Sequence, residues 1–249
     1  MSRVRIIQDK NDLTDSMKAF NLSGIIIIVG NYGSGKTEMS INLAADQRAR
    51  GREVRIADLD LVNPYFRTRE ARKVLTDLGV DVVLPPSEYM HADLPVLTPA
   101  VSGMIRQPAE VTILDAGGND AGATVLSALA DFFKGMPFHM LQVINPFRPY
   151  TDSVEGCRKI REGIEKASRL TVTGLIGNPN LIDETTAADI EHGYEFIKTV
   201  STESGLNPEL LTIPAPLIKE LDLTRFTCPV LPIRRQLTPP WKRAADIKK

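Results

Sequence analysis

A glycine-rich octapeptide has the residue types and spacing of a phosphate-binding site. It consists of Gly30, Asn31, Tyr32, Gly33, Ser34, Gly35, Lys36 and Thr37, and it matches the pattern G-x-x-x-x-G-K-[ST]. Glycines let the backbone curl until successive N–H groups point at a bound anion. We therefore predict that this segment binds a polyphosphate, with Lys36 reaching the β- and γ-phosphates and the Thr37 hydroxyl ligating Mg²⁺.

The segments on both sides of the octapeptide are those that a phosphate-binding loop requires. Residues 24–29, with the sequence GIIIIV, form a β-branched run typical of a buried strand, and the residues from Glu38 onward favour a helix. The positive N-terminal end of that helix would face the phosphates. The order strand, loop, helix predicts a nucleotide site, in which we include Glu38, rather than a chance lysine in a glycine-rich loop.

Acidic residues follow two other predicted strands. Asp58 and Asp60 come after the strand predicted at 52–57, and Asp115 comes after the one at 110–114, with Gly118 close behind. Ligands of doubly wound sheets lie beyond the carboxyl ends of the strands, so we expect the aspartates near the phosphates. An acid at 115 would bind the Mg²⁺ shell through water, and the N–H of Gly118 would reach the γ-phosphate.

Three later strand ends supply candidates for the remaining contacts. Asn178 follows the predicted strand 171–177, and its amide can pair with the donor–acceptor edge of a base. The predicted strand 210–213 runs into Pro214, whose backbone would form the other wall of a base pocket. Arg148 lies in a proline-rich loop after a strand, where a contact with a ligand or a partner is one interpretation.

Length and composition suit one α/β domain spanning residues 1–249. The chain has 249 residues, of which 43% are hydrophobic and 24% charged, enough for a well-covered core. We assign residues 1–23 to an N-terminal extension, 85–108 to a possible surface insertion and 234–249 to a C-terminal tail.

Several functional classes are disfavoured by the same composition. The net charge of −1 gives no support for nucleic acid as a partner. Cys157 and Cys228 lie far apart, so neither a C-x-x-C metal site nor a disulfide framework is indicated, and a reducing compartment fits. No signal peptide is recognisable, and the basic tail is too short and weakly apolar for stable membrane association. We therefore expect a cytoplasmic protein.

From about residue 24 to 218 the chain resembles the MinD/ParA/CobQ-type branch of phosphate-loop NTPases, which belong to the SIMIBI class. The resemblance implies an α/β fold with a mostly parallel, twisted sheet, helices on both of its faces, and Mg·ATP as the usual nucleotide. By resemblance, Asp58 and Asp60 are the switch I pair, and Asp60 positions the attacking water. Asp60 is also a candidate Mg²⁺ residue, together with Thr37 and Asp115. Asp115 and Gly118 resemble the Walker B and switch II residues. Asn178 looks like the adenine-contacting asparagine, with the Pro214 loop opposite.

Two departures from the family pattern bear on activity. Relatives carry a lysine, here replaced by Asn31, that crosses a dimer interface to the partner's phosphates. We therefore expect either slow hydrolysis or an arginine, such as Arg67, that takes over the role of the missing lysine. Residues 178–181 read NPNL where GTPases show N-K-x-D, and Leu181 cannot accept hydrogen bonds from guanine, which favours adenine.

The leading hypothesis is an ATP-binding protein with Mg²⁺-dependent ATPase activity that acts as a switch or accessory factor for a client protein. A nucleotide-dependent homodimer is a possible form of it. Lys36, Mg²⁺ and the Gly118 N–H would stabilise charge on the transferred group, while Asp60 would orient the water.

Two alternative functions stay open. One is an ATP-dependent small-molecule ligase or kinase of the dethiobiotin-synthetase or cobyrinate-amidase kind, with an acceptor pocket around Arg67, Arg148 and residues 87–108. The other is a nucleotide sensor that barely hydrolyses.

Overall fold

The computed structural model of the protein contains an eight-stranded sheet in which every pair of neighbours is parallel. It describes residues 20–59, 71–83, 99–117 and 120–237. The strand order is β3-β2-β4-β1-β5-β6-β7-β8. The strands are β1 (Gly24–Gly30), β2 (Val54–Leu59), β3 (Asp81–Val83), β4 (Val111–Ala116), β5 (Phe138–Ile144), β6 (Gly174–Gly177), β7 (Pro208–Pro214) and β8 (Val230–Ile233).

Helices connect most of these strands, as parallel pairing requires. The α-helices are α1 (Lys36–Ala49), α2 (Arg72–Asp77), α3 (Pro99–Arg106), α4 (Asp120–Leu129), α5 (Val154–Ser168) and α6 (Ala187–Ser204). Short 3₁₀ helices span Ala130–Phe133, Ile182–Glu184, Ala215–Glu220 and Leu223–Arg225. The predicted α/β fold is confirmed.

Strand β1 is buried on both faces of the sheet. Successive strand side chains point to opposite faces. Ile26 and Ile28 pack in the cluster that contains Met39 of α1, whereas Ile25 and Ile27 belong to the cluster on the other face. A continuous apolar run is therefore what a central parallel strand needs.

The two clusters place helices on both faces of the sheet. Met39 of α1 and Leu75 of α2 belong to the first cluster. Met104 of α3 and Leu126 of α4 belong to the second. Ile197 of α6 packs against further strand residues with Cys157 of α5.

The loop after β1 starts at the centre of this sheet. β1 lies between β4 and β5, where the direction of winding reverses, and such a switch point opens a crevice at the carboxyl ends of the strands. All strands run the same way, so the residues that follow β1, β5, β6 and β7 meet at one edge.

Some boundaries differ from those predicted. β2 extends through residue 59 and β4 through 116, so Asp58 and Asp115 are the penultimate residues of their strands instead of following them. Backbone pairing with β4 explains the extension of β2. Residues 99–106, predicted as part of a surface insertion, form α3, whose apolar side chains Val101, Met104 and Ile105 are buried. This helix packs in the second core cluster, and the insertion at 85–108 itself stays a prediction.

Other predictions fall partly or wholly outside the described residues. These are residues 1–19 of the N-terminal extension, 85–98 of the insertion and 238–249 of the tail. Among the helices that are described, none has the length and apolarity needed to cross a membrane. β8 occupies the sheet edge, where its Pro232, which cannot donate a hydrogen bond to a neighbouring strand, is tolerated.

Candidate nucleotide-binding site

The loop of residues 30–37 has a backbone that only glycine fits at two positions. Gly30 has φ of 146°, and a Cβ there would lie 2.5 Å from the carbonyl oxygen of Val143. Gly35 has φ of 88°, and its Cβ would collide with the side-chain amide of Asn178. The tight contacts on both sides hold the loop against β5 and the end of β6.

Helix α1 starts at Lys36, within this segment, without a side-chain cap. Gly35 is the N-cap, and Met39 N–H donates to the carbonyl of Gly35 over 3.0 Å. The first amides of a helix are not used by its own hydrogen bonds, so they are suited to an anion. The N-terminal end of α1 therefore has the geometry of a phosphate site.

Lys36 and Thr37, the predicted phosphate and metal contacts, are buried at this helix start. The Nζ of Lys36 donates to the main-chain carbonyl of Asn31 over 3.0 Å, so the side chain lies along the loop. The Ser34 N–H donates to the same carbonyl over 3.2 Å. The Oγ of Ser34 is buried and has no hydrogen-bond partner among the described residues.

Asp58 and Asp115 lie side by side on the face of the sheet that α1 covers. They are paired residues of β2 and β4, and both are buried. Each is two residues beyond an isoleucine, Ile56 or Ile113, of the cluster that packs on α1. The hydroxyl of Ser40, one turn after Thr37, donates to Asp115 Oδ1 over 3.5 Å.

This arrangement fits a hard divalent cation. The two carboxylates lie beside each other, and Ser40 links Asp115 to α1, whose first turn carries the Thr37 hydroxyl. Oxygen ligands of this kind are those that Mg²⁺ takes. Adjacent buried carboxylates repel each other when both are ionised, so a cation between them and the phosphates would stabilise the pair.

Asn31, at the position where the resemblance to MinD/ParA-type NTPases leads one to expect a lysine, is bonded within its own chain. Its Nδ2 donates to the carbonyl of Pro149 over 3.0 Å, and its Oδ1 accepts from the N–H of Tyr32 over 2.8 Å. The side chain thus joins the phosphate loop to the segment after β5. Thr151 closes that segment by donating from Oγ1 to the carbonyl of Asn145 over 2.7 Å.

Asn178 fastens the loop to two strands. Its Nδ2 donates to the carbonyl of Ser34 over 2.6 Å, and its Oδ1 accepts from the hydroxyl of Thr212 over 2.5 Å. The predicted contact of Asn178 with a base stays a prediction. In the structure its side-chain amide bonds to the loop and to Thr212. Pro214 ends β7, the strand beside β6, and is half-buried.

The carboxylate of Glu38 points away from the loop, to a segment that we name the C-terminal strap, residues 234–237. It accepts from the N–H groups of Gln236 over 2.7 Å and Leu237 over 2.9 Å. Burial raises the pKa of Glu38, and these hydrogen bonds partly offset the rise. The carboxylate of Glu38 is thus bonded to the strap, and the predicted contact of Glu38 with a nucleotide is a prediction for its main-chain N–H alone.

Asn42 adds a second clamp on the strap. Its Oδ1 accepts from the N–H of Arg234 over 2.8 Å, and its Nδ2 donates to the carbonyl of the same residue over 3.2 Å. Arg235 of the strap pairs with Asp183 over 3.0 Å, in the segment after β6. The predicted tail thus begins as a strap across the first turns of α1.

Sequence reasoning missed several of these residues. Ser40 had a usable signal, because it lies three residues after Thr37 and so on the same side of a helix. Thr212 and the strap had none, since only the tertiary structure brings them to the loop. Asp60, Gly118 and Arg67 lie outside the described residues, and their roles stay predictions.

Comparisons with known proteins identify the fold. Neither the models of protein families nor the curated protein sequences give a match to this chain. Solved structures do. FtsY of Thermotoga maritima, described as a cell division protein, has a TM-score of 0.54 at 21% identity, over 82% of this chain and 68% of that one.

Two more structures agree with it. FtsY of Mycoplasma mycoides has a TM-score of 0.53 at 18% identity, over 86% of this chain and 68% of its own. The signal recognition particle 54 kDa protein of Aeropyrum pernix, solved with GDP, has a TM-score of 0.52 at 19% identity, over 85% and 48% of the two chains. This chain spans about half of that last protein.

These neighbours are SRP GTPases, which belong to the SIMIBI class of phosphate-loop NTPases. At such identities the similarity extends to the fold and does not reach the MinD/ParA branch that the motifs suggested. The fold of this chain is that of a phosphate-loop NTPase, with an all-parallel sheet of eight strands.

Proposed function

We propose that this chain is an ATP-binding protein with Mg²⁺-dependent ATPase activity, acting as a switch or accessory factor for a partner protein. One observation carries the proposal. The curled loop, the uncapped start of α1 and the carboxylates Asp58 and Asp115 meet at one edge of the sheet. Such a combination serves an anion together with its cation better than it serves a neutral ligand.

The residues divide the work in the following way. The amides of residues 30–37 and the ammonium of Lys36 bind the phosphates. Thr37 and Asp115 hold Mg²⁺, which when bound neutralises charge on phosphate oxygens. Asp60 orients the attacking water, with Asp58 beside it. The N–H of Gly118 donates to the γ-phosphate.

Adenine is the proposed base. Residues 178–181 place the apolar Leu181, which cannot accept hydrogen bonds from guanine, where GTPases have an acid. The neighbour bound to GDP makes guanine the proper competitor. Equilibrium titrations with Mg·ATP and Mg·GTP should give the lower Kd for ATP, and a lower Kd for GTP would contradict this part of the proposal.

A nucleotide sensor with very slow turnover is the second candidate, and Asn31 favours it. The side chain at this position is neutral and bonded to Pro149, so it cannot supply a cation to the phosphates of another copy. Single-turnover hydrolysis of ATP separates the candidates. A wild-type rate well above that of Asp60→Ala supports the ATPase, and equal rates support the sensor.

The partner is proposed to bind at an apolar rim around the phosphate loop, formed by Tyr32, Tyr150, Leu181 and Ile182. All four side chains are exposed. The hydrogen bonds from Asn31 to Pro149 and from Asn145 to Asn180 link the segments that carry them. A nucleotide bound beneath this rim could change its shape, which is what a switch requires. A second copy of the chain in the cytoplasm is one form of the partner, and neither nucleic acid nor a membrane is proposed.

A further inference from the structure

We propose that Arg148 contacts the phosphates of the nucleotide within the same chain, which rests on the nucleotide site proposed above. Arg148 lies in the segment after β5, directly beside the phosphate loop. Its Nε lies 4.0 Å from the position that a Cβ of Gly33 would occupy. The side chain of Arg148 therefore lies close to the loop at Gly33.

The Nε of Arg148 is shielded from solvent and has no hydrogen-bond partner among the described residues. A buried N–H that bonds to nothing is unfavourable, and native proteins rarely keep one without a use. The Oγ of Ser34, on the same loop, is a second buried polar atom in this condition. An anion at the loop that accepted from the Nε of Arg148 would give this buried N–H a partner.

The backbone around Arg148 is held in place. Its N–H donates to the carbonyl of Asn145 over 3.2 Å, and its own carbonyl accepts from the N–H of Thr151 over 3.1 Å. Prolines at 146 and 149 restrict the dihedral angles on both sides. The bond between Asn31 and the carbonyl of Pro149 then fixes this segment against the phosphate loop.

These contacts give Asn31 and Arg148 complementary roles. Asn31 carries no charge, but its amide holds the segment that brings a guanidinium to the loop. An arginine presents a planar set of donors that matches phosphate oxygens and stays protonated. The positive charge is thereby supplied from the chain's own β5 segment rather than from residue 31.

The test measures binding of a non-hydrolysable Mg·ATP analogue and of AMP by calorimetry. Arg148→Met keeps the length of the side chain and removes its charge, so we expect affinity for the analogue to fall by about 10- to 100-fold, as for a lost charge-assisted hydrogen bond. Affinity for AMP should change much less. Arg148→Lys keeps the charge and should recover part of the loss.

Arg158→Ala is the matched control, because Arg158 is exposed on α5 and pairs with Glu155 and Glu162. It should bind the analogue like the wild type. Arg148→Met binding the analogue as tightly as Arg158→Ala would overturn the inference while leaving the nucleotide site intact, and so would equal losses for AMP and the analogue. If the wild type binds no analogue at all, the proposed function fails with it.

Discussion

The side-chain amide of Asn178 donates to the main-chain carbonyl of Ser34 over 2.6 Å, and so ties the end of β6 to the phosphate loop. Thr212 of β7 completes the link by donating to the Oδ1 of Asn178. The conformation of residues 30–37 therefore depends on two strands that are distant in sequence. A residue predicted to read a base acts in this structure as a support of the loop.

Asn178→Ala should lower the free energy of unfolding by about 1–3 kcal/mol, because it leaves the buried Ser34 carbonyl and the Thr212 hydroxyl without this partner. Nucleotide affinity should fall as well, since the loop loses its tie to β6. Urea unfolding and calorimetry measure the two effects. Thr212→Val is the control, as it removes the link to β7 and keeps the bond to Ser34. Equal losses of affinity in the two variants would contradict this role.

Gly35→Ala should abolish nucleotide binding and destabilise the protein more than Gly51→Ala. The two glycines have nearly the same φ, 88° and 86°, but a Cβ at 35 collides with Asn178 and one at 51 meets nothing. Each variant shares the backbone strain of about 1–2 kcal/mol for an L-residue in this region. The difference in thermal unfolding between them measures the collision. Matching melting temperatures would show that the loop tolerates the Cβ.

Glu38→Gln tests the clamp on the C-terminal strap through its pH dependence. Burial raises the pKa of Glu38, so the folded state holds its proton more tightly than the unfolded state does. This contribution to stability is present below the unfolded pKa and is lost as the pH rises through the folded one. The stability of the wild type relative to Glu38→Gln should therefore be greatest at acid pH. A relative stability that grows with pH would show that the hydrogen bonds to 236 and 237 outweigh burial.

Substitutions on the apolar rim should weaken capture of the partner without weakening nucleotide binding. The pair Tyr150→Ser and Ile182→Ser removes exposed apolar area beside the loop. Val74→Ser is the control, because Val74 is an exposed apolar residue on α2. Pull-downs and light scattering with ATP and with ADP report client binding and self-association. If the wild type, the double variant and Val74→Ser all retained a partner equally, its binding surface would lie outside the apolar rim.

The sequence was sufficient to predict the turn between β1 and α1, because the spacing of Gly30, Gly35 and Lys36 between a strand and a helix is typical of a phosphate-binding loop. The acids were predictable too, since Asp58 and Asp115 follow apolar runs, although backbone pairing carries both strands past them. The long-range hydrogen bonds that hold the loop and the strap in place were not predictable. Asn178 reaches Ser34 across 144 positions, and Glu38 reaches the strap across 198. No local pattern encodes such contacts, which only the packed sheet brings together.

Binding of Mg·ATP to the wild type and to Lys36→Ala, measured at equilibrium, tests the central claim that residues 30–37 grip a polyphosphate. Lys159→Ala, which removes an exposed lysine paired with Glu155, serves as the control. Loss of the ammonium should weaken binding by about 100-fold, whereas the control should match the wild type. Equal affinity for Mg·ATP in all three proteins, or no affinity in the wild type, would contradict the account.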